Sequence, residues 1–445
     1  MGNIASMADL PASFKDIELI ILDMDGVLTS EEAYWDAAGL VVRDLLESPA
    51  YLGLNPQEYS PIADVFYRKL ANGLRSDWRR YLPTPLIVNC KARGINSNWD
   101  LAYLTAGIYL VALFAPSFRL FSEFLGINTN REENGENRAG SDSAFRESLS
   151  PIWNHLSRAA LDGKWGEFFR KKDFYLWGEY FRLMKRSIVP IKKIELLIMD
   201  DFHPDMRGLG LLDELNTLLQ RHPTRRLPLF GRRTLLWEDC QDLFQEWYLG
   251  EELYGETYGR PILYRPKRGL IHKEEPLHGR QKTHACLKKL RQAGYTLGIA
   301  TGRPRMEIAT PLQRWDMLSY FDEKRIVTHD EVEKAEAELK RRGEERNLGK
   351  PHPYAFLQAI YPERKPIELA SDEGAPIPGA HKILIVGDAV ADIWAAQKIH
   401  CPCAALLSGA LGAGGRKQLE EANPTVLCSH LPELTDAMAA LKSGG

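Results

Sequence analysis

Cysteine is scarce in this 445-residue chain: only Cys90, Cys240, Cys286, Cys401, Cys403 and Cys428 occur, with no C-x-x-C pair among them. That spacing supports neither a zinc ribbon nor a disulfide framework, and Cys401-Pro402-Cys403 reads as a buried loop. Net charge is equally slight, at -3, so a general nucleic-acid-binding role lacks electrostatic support. The N-terminus has no basic start and apolar core of the secretory kind, and the expected setting is a reducing cytoplasm. Long uncharged runs are almost missing. The one at 101–118 reaches the threshold length for a membrane helix, but Pro116 breaks its end, Thr105 and Gly107 dilute it, and no second span accompanies it. It is expected to be a buried helix in a helical domain, with no membrane partner. What remains is an ordinary globular composition, 44% hydrophobic and 26% charged, in a chain long enough for two or three domains.

One stretch stands out. Ile17-Glu18-Leu19-Ile20-Ile21-Leu22 is a short, nearly all-apolar run, as suits a strand buried on both faces of a parallel sheet. It runs directly into Asp23-Met24-Asp25-Gly26-Val27. On a strand, carboxylates spaced i, i+2 point the same way, and the carboxyl edge of an open α/β sheet is where ligands sit. Two acids that close repel unless a cation or a shared proton neutralises them, and a hard divalent ion such as Mg²⁺ is the usual solution for oxygen ligands.

From Thr29 to about residue 279 the pattern is long helical stretches rich in Tyr, Trp, Leu and Arg. A polar, turn-rich segment at 127–143 interrupts them and reads as a mobile loop. Residues 193–201 resemble a second copy of the opening strand without its D-x-D-G order. They are read as a chance buried strand or helix start, although Asp200, Asp201 and His203 would serve a site if the copy were functional. Arg221, Arg225, Arg226, Arg232 and Arg233 stand without an intervening acid. They read as a solvated face, with an anion-recognition surface as the alternative. The rings of Phe244, Trp247 and Tyr248 suit a packed helix.

After residue 280 strands and helices alternate, which implies a parallel doubly wound sheet. A helix at 283–293 leads to a strand at 295–300, then Thr301-Gly302-Arg303-Pro304. A short strand at 326–328 precedes a charged helix at 331–346. Lys350 opens a further helix, a strand at 382–386 runs into Gly387-Asp388-Ala389-Val390-Ala391-Asp392, and the last strands fall at 404–407 and 425–427.

Asp23-Met24-Asp25-Gly26-Val27, Thr301 at a strand end, Lys350 at a helix start, and Gly387-Asp388-x-x-x-Asp392 stand in series. In this the chain resembles the haloacid dehalogenase superfamily, covering all four of that family's motifs in order. The resemblance implies a Rossmann-like α/β core, residues 1–30 and 280–445, with 31–279 inserted as a mainly helical cap. It implies a Mg²⁺-dependent phosphatase acting on a small phosphorylated metabolite. Asp23 would be the nucleophile and Asp25 the general acid and base. Thr301, the Gly302 amide and Arg303 would hold the phosphoryl group or substrate, and Lys350 would neutralise charge. Asp23, Asp25 (through its carbonyl), Asp388 and Asp392 would serve the metal, with Asp392 alternatively paired to Lys350. Glu275 and His278 are further candidate contacts.

Asp25 is the acid that the family's dehalogenases lack, so phosphoryl chemistry is favoured over carbon–halogen cleavage. P-type pumps share that chemistry but need many membrane spans. The insertion is far larger than the small helical bundle of phosphoglycolate phosphatases and β-phosphoglucomutases, so their substrates do not transfer. Two other readings stay open: a phosphotransferase or mutase of the same superfamily, and a non-catalytic interaction protein on the same fold. Oligomeric state is not legible.

Overall fold

The computed structural model describes residues 10–47, 81–95, 97–114, 202–203, 206–208, 210–219, 235–262, 267–371, 374–409 and 415–443. The chain divides into two compact units, Met1–Ala33 with Ile271–Gly445, and Tyr34–Leu270.

The first unit is built on a six-stranded sheet: β1 Leu19–Leu22, β2 Thr296–Ala300, β3 Ile326–Val327, β4 Ile383–Gly387, β5 Cys403–Leu406 and β6 Val426–Cys428. The order is β3-β2-β1-β4-β5-β6, and every pairing is parallel. Apolar strands of this kind need cover on both faces, and successive side chains supply it to each. Ile20 and Leu22 of β1 join Leu297, Ile299, Leu384 and Val386 in one core, with side chains from the helices Arg280–Gln292, Arg305–Arg314 and Leu431–Ser443. Leu19 and Ile21 join Ile383, Ile385 and Ala405 in the other, under the helices His329–Arg341, Tyr354–Ile360 and Val390–Lys398. The doubly wound parallel fold is thus the observed one. The strands fall within a residue or two of their expected positions. The charged helix stops at Arg341 rather than 346 because Gly343 takes φ 84, a left-handed conformation that ends helices.

Register fixes where the strand ends lie. Leu22 pairs with Ile299 on one side and Val386 on the other. The residues just beyond, Asp23, Thr301 and Asp388, therefore leave the sheet at the same edge. β1 and β4 are neighbours from which the chain winds in opposite directions, and this switch point opens the crevice used by ligands in such folds.

The second unit is helical in its described parts: most of Glu32–Glu47, then Thr84–Ala92, Asn98–Phe114, Gly210–Leu219 and Leu235–Tyr258. The uncharged run starting at Leu101 is helical and buried all round over residues 101–108, with Leu101, Ala102, Tyr103, Leu104, Ala106 and Ile108 at most 1% exposed, and the helix packs on Gly210–Leu219 and Leu235–Tyr258. No helix among the described residues is long and apolar enough to cross a membrane. Phe244, Trp247 and Tyr248 are buried, with Tyr34 stacked on Tyr248 at 4.3 Å between centroids. Inside the unit, the Trp247 indole N–H donates to Asp44 at 2.9 Å and Lys267 pairs with Glu246. The segments 127–143 and 221–233 lie outside the described residues, as do Asp200 and Asp201. The His203 carbonyl accepts a hydrogen bond from Arg93.

Candidate active site

Asp23 continues the line of β1, and its backbone N–H donates to the Val386 carbonyl at 2.8 Å, which locks the turn against β4. Its Oδ1 accepts the Met24 N–H at 2.7 Å. Asp388 follows β4 directly, and Asp392 sits in the first turn of the helix Val390–Lys398, where its Oδ2 accepts the Ala389 N–H at 3.2 Å. One carboxylate oxygen from each of Asp23, Asp388 and Asp392 lies within 4.8 Å of the others. The Lys350 Nζ approaches Asp23 Oδ2 at 3.0 Å and Asp392 Oδ1 at 2.8 Å, as charge pairs rather than well-aligned hydrogen bonds. It also lies 5.1 Å from the centre of the Phe356 ring.

Electrostatics make this cluster costly. Burial pushes the Asp23 carboxyl up, Lys350 pulls it down, and Asp392 and Asp25 push it up again, to about 7. Burial, together with the charges of Asp23, Asp392, Glu31 and Asp25, holds Asp388 well above the usual carboxylate range. Burial alone would depress Lys350, but Asp23 and Asp392 more than offset that and keep it firmly charged. Three carboxyls are thus crowded together while the Lys350 ammonium pairs with only Asp23 and Asp392, so once all three are ionised two negative charges lack compensation. An all-oxygen donor set with that deficit fits a hard divalent cation.

Glycine makes the approach possible. Gly26 has φ +65, and a Cβ there would sit 2.0 Å from Asp388 Oδ2 and 2.6 Å from the Gly409 Cα. The Ser408 hydroxyl donates to the Gly26 carbonyl at 2.7 Å, which ties the loop after β5 to the first motif. Gly26→Ala is expected to combine left-handed strain with overpacking, each on the order of 1–2 kcal/mol. It should also displace the Asp388 carboxylate. A thermal melt beside a crystal structure of the variant checks both.

Asp25 has a separate environment. Its carboxylate is outside the acidic trio and is gripped by Arg303, whose Nε lies 3.1 and 3.0 Å from the two oxygens and whose Nη2 also donates to Oδ1. The Arg303 Nη1 holds both oxygens of Glu274, at 3.1 and 3.0 Å, and Nη2 donates to the Thr29 hydroxyl at 3.0 Å. Arg303, expected at the substrate, is instead 3% exposed and engaged with protein carboxylates. Thr301 is 2% exposed, and its Oγ1 accepts the Arg303 N–H at 3.3 Å. Gly302 is exposed, with open space where a side chain would be.

Glu275 and His278 do not join the site. Glu275 is exposed and paired with Arg280, and His278 faces His430 with ring centres 5.4 Å apart. Sequence reasoning passed over Thr29, Glu274, Ser408 and Gly409. The only available signal was the glycine-rich run after β5.

A model of the haloacid dehalogenase-like hydrolase family matches residues 209–400, a span that includes Thr301, Lys350, Asp388 and Asp392 but not Asp23. No curated protein matches the chain. Among solved structures, a structural-genomics target shares the fold with TM-score 0.65 and 24% identity, over 95% of this chain and 98% of that one. A HAD family hydrolase from Deinococcus radiodurans, with bound phosphate and sodium, matches 58% of this chain and 86% of its own at 16% identity and TM-score 0.30. A candidate β-phosphoglucomutase from Thermotoga maritima matches at 14% identity and TM-score 0.33, over 95% of this chain and 98% of that one. Over residues 209–400 the chain is similar to the haloacid dehalogenase-like hydrolases, and the doubly wound parallel sheet, with the motif residues gathered at its carboxyl edge, agrees with that match.

Proposed function

We propose that the protein is a member of the haloacid dehalogenase superfamily, a Mg²⁺-dependent phosphatase that releases phosphate from a small phosphorylated metabolite through an aspartyl-phosphate on Asp23. The observation that carries the reading is the trio of Asp23, Asp388 and Asp392, the first and last paired with Lys350, with a second acid two residues from the nucleophile. Asp23, Asp388 and Asp392 are the side chains that would hold the ion, which supplies positive charge to the phosphoryl oxygens when bound. Asp23 attacks phosphorus, and the phosphorus–oxygen bond to the leaving group breaks. Asp25 gives its proton to that oxygen, then takes one from the water that hydrolyses the acyl phosphate. The Thr301 hydroxyl and the Gly302 amide orient phosphoryl oxygens, and Lys350 offsets the charge gathered on Asp23 and the phosphate. Substrate choice is assigned to the helical unit inserted before the second motif, acting as a cap.

Turnover of p-nitrophenyl phosphate or acetyl phosphate by the purified chain should require Mg²⁺ and stop in EDTA. The ion should also raise the thermal midpoint, by a free energy that reaches about 2.7 kcal/mol at a hundred times its dissociation constant. The pH dependence has a definite sign. Asp23 and Asp388 keep their protons to higher pH in the fold than in the unfolded chain. Metal-free stability therefore falls as pH rises from about 4 through 7. The metal competes with those protons, so its stabilisation should be greater at pH 8 than at pH 5. A metal-independent rate would contradict the reading. Transfer to an added hydroxyl acceptor in place of phosphate release would redirect it to the phosphotransferases.

A further inference from the structure

Arg303 makes more contacts with acids than any sequence motif required. Two carboxylates share its guanidinium, and their exposures differ sharply. The side chains of Arg303 and Glu274 are 2% and 1% exposed, whereas that of Asp25 is 23% exposed. The arginine thus reaches Asp25 from the buried side, and the Asp25 side chain keeps partial exposure. Glu274 anchors the far end of the fork. Its own backbone is fixed by Arg314, which donates to the carbonyls of Glu274 and Ile271. Thr29 closes the arrangement. Its hydroxyl lies 3.3 Å from Asp25 Oδ1 and 3.1 Å from the Met24 carbonyl, and its backbone bridges to both Asp25 and Pro276. The Leu277 N–H donates to the Leu28 carbonyl at 2.9 Å. The loop of the first motif and the segment 274–277 are therefore stitched together by backbone and by arginine.

We propose that Arg303, braced by Glu274, is the positioning residue for Asp25 and does not itself bind substrate. A bidentate fork fixes the rotation of a carboxylate as well as its location, and proton transfer to a leaving oxygen depends on that geometry. This inference rests on the phosphatase reading for its kinetic consequence, but not for its structural one. Without the fork, Asp25 loses its fixed rotamer while Asp23, Lys350 and the acidic trio stay in place.

The test uses the full chain with Arg303→Lys, Glu274→Gln and the double change Arg303→Met/Glu274→Met, which removes the two most buried charges of the arrangement together. Leaving-group dependence separates the roles. An alkyl phosphate needs a proton on its departing oxygen, whereas p-nitrophenolate leaves without one. The expected result is a fall in kcat of about 10²-fold or more for the alkyl ester, with little change in the burst of p-nitrophenol and KM nearly constant. Arg303→Lys added to Asp25→Asn should cost nothing further. Equal losses for both esters would mean a merely structural role, and a rise in KM for both would mean a substrate contact. Either overturns the proposal. A crystal structure of the double variant provides a readout that needs no activity. Asp25 displaced from Thr29 supports the clamp, and Asp25 unmoved refutes it. If the unaltered chain hydrolyses no phosphate ester, the phosphatase reading fails while the crystal structure still judges the clamp.

Discussion

Asp23→Asn is expected to abolish turnover, with a loss of at least about 10⁴-fold, as removal of a covalent nucleophile does, and to leave the metal-free protein as stable as before or more so. The amide has no negative charge with which to attack phosphorus, yet it keeps the shape of the side chain and an oxygen for the Met24 N–H. Its effect on stability has the opposite sign from its effect on catalysis because Asp23 is one of three acids crowded together, of which only Asp23 and Asp392 pair with Lys350. Burial and neighbouring acids raise the Asp23 carboxyl to about 7, so its contribution to stability is present below about pH 4 and is lost as pH rises through 7. The Asn variant lacks that loss. Its thermal midpoint in EDTA should therefore gain on the unaltered protein as pH goes from 5 to 8. Retained activity, or a midpoint difference that shrinks over that range, would mean that the carboxylate neither attacks nor strains the site.

The parts of this site that were legible in the sequence are those where one strand end carries both the fold and the chemistry. An all-apolar β1 stopping at Asp23, and an all-apolar β4 stopping at Gly387-Asp388, place their acids side by side as soon as the two strands pair, and Leu22 pairs with Val386. Lys350 was legible through order along the chain, since a lone lysine at a helix start has no pattern of its own. Arg303 shows where such reading stops. Following Thr301-Gly302, it suggests a ligand for a phosphate or a substrate, because an arginine fork suits an anion. Which anion it meets is decided by Glu274 and Asp25, two acids with no periodic relation to it, brought there by pairing between residues 28 and 277. Gly409 was invisible for a related reason. Its lack of a side chain matters only because the Asp388 carboxylate occupies that space, and tertiary proximity of this sort has no local signature. The helices of the inserted unit were legible as apolar stretches such as the one from Leu101. Their buried polar partners, Asp44 to Trp247 and Glu246 to Lys267, depend on packing that no spacing announces.

Lys350→Met should weaken both stability and catalysis, and the two losses should respond differently to metal. Methionine preserves most of the stem that packs near Phe356 but leaves Asp23, Asp388 and Asp392 with no cation. Breaking a buried pair by removing one partner costs about 3–5 kcal/mol. The low end is expected here, because the freed carboxylates can take up protons. That uptake gives the pH dependence its sign. Losing the ammonium removes the one charge that holds Asp23 down, so the deficit should be small near pH 5 and larger at pH 8. Added Mg²⁺ brings two positive charges to the same oxygens and should restore much of the midpoint, with a greater increment than in the unaltered chain. Turnover should not follow. In the proposed mechanism the ion would neutralise the carboxylates at rest, whereas Lys350 spans Asp23 and Asp392 at 3.0 and 2.8 Å and so would stand where charge shifts from the nucleophile to the phosphate. Loss of such a preorganised cation costs on the order of 10²–10³ in kcat. Melts at two pH values with and without Mg²⁺, beside saturating kinetics, separate the two contributions. Activity rescued together with stability would reduce Lys350 to a structural counter-ion.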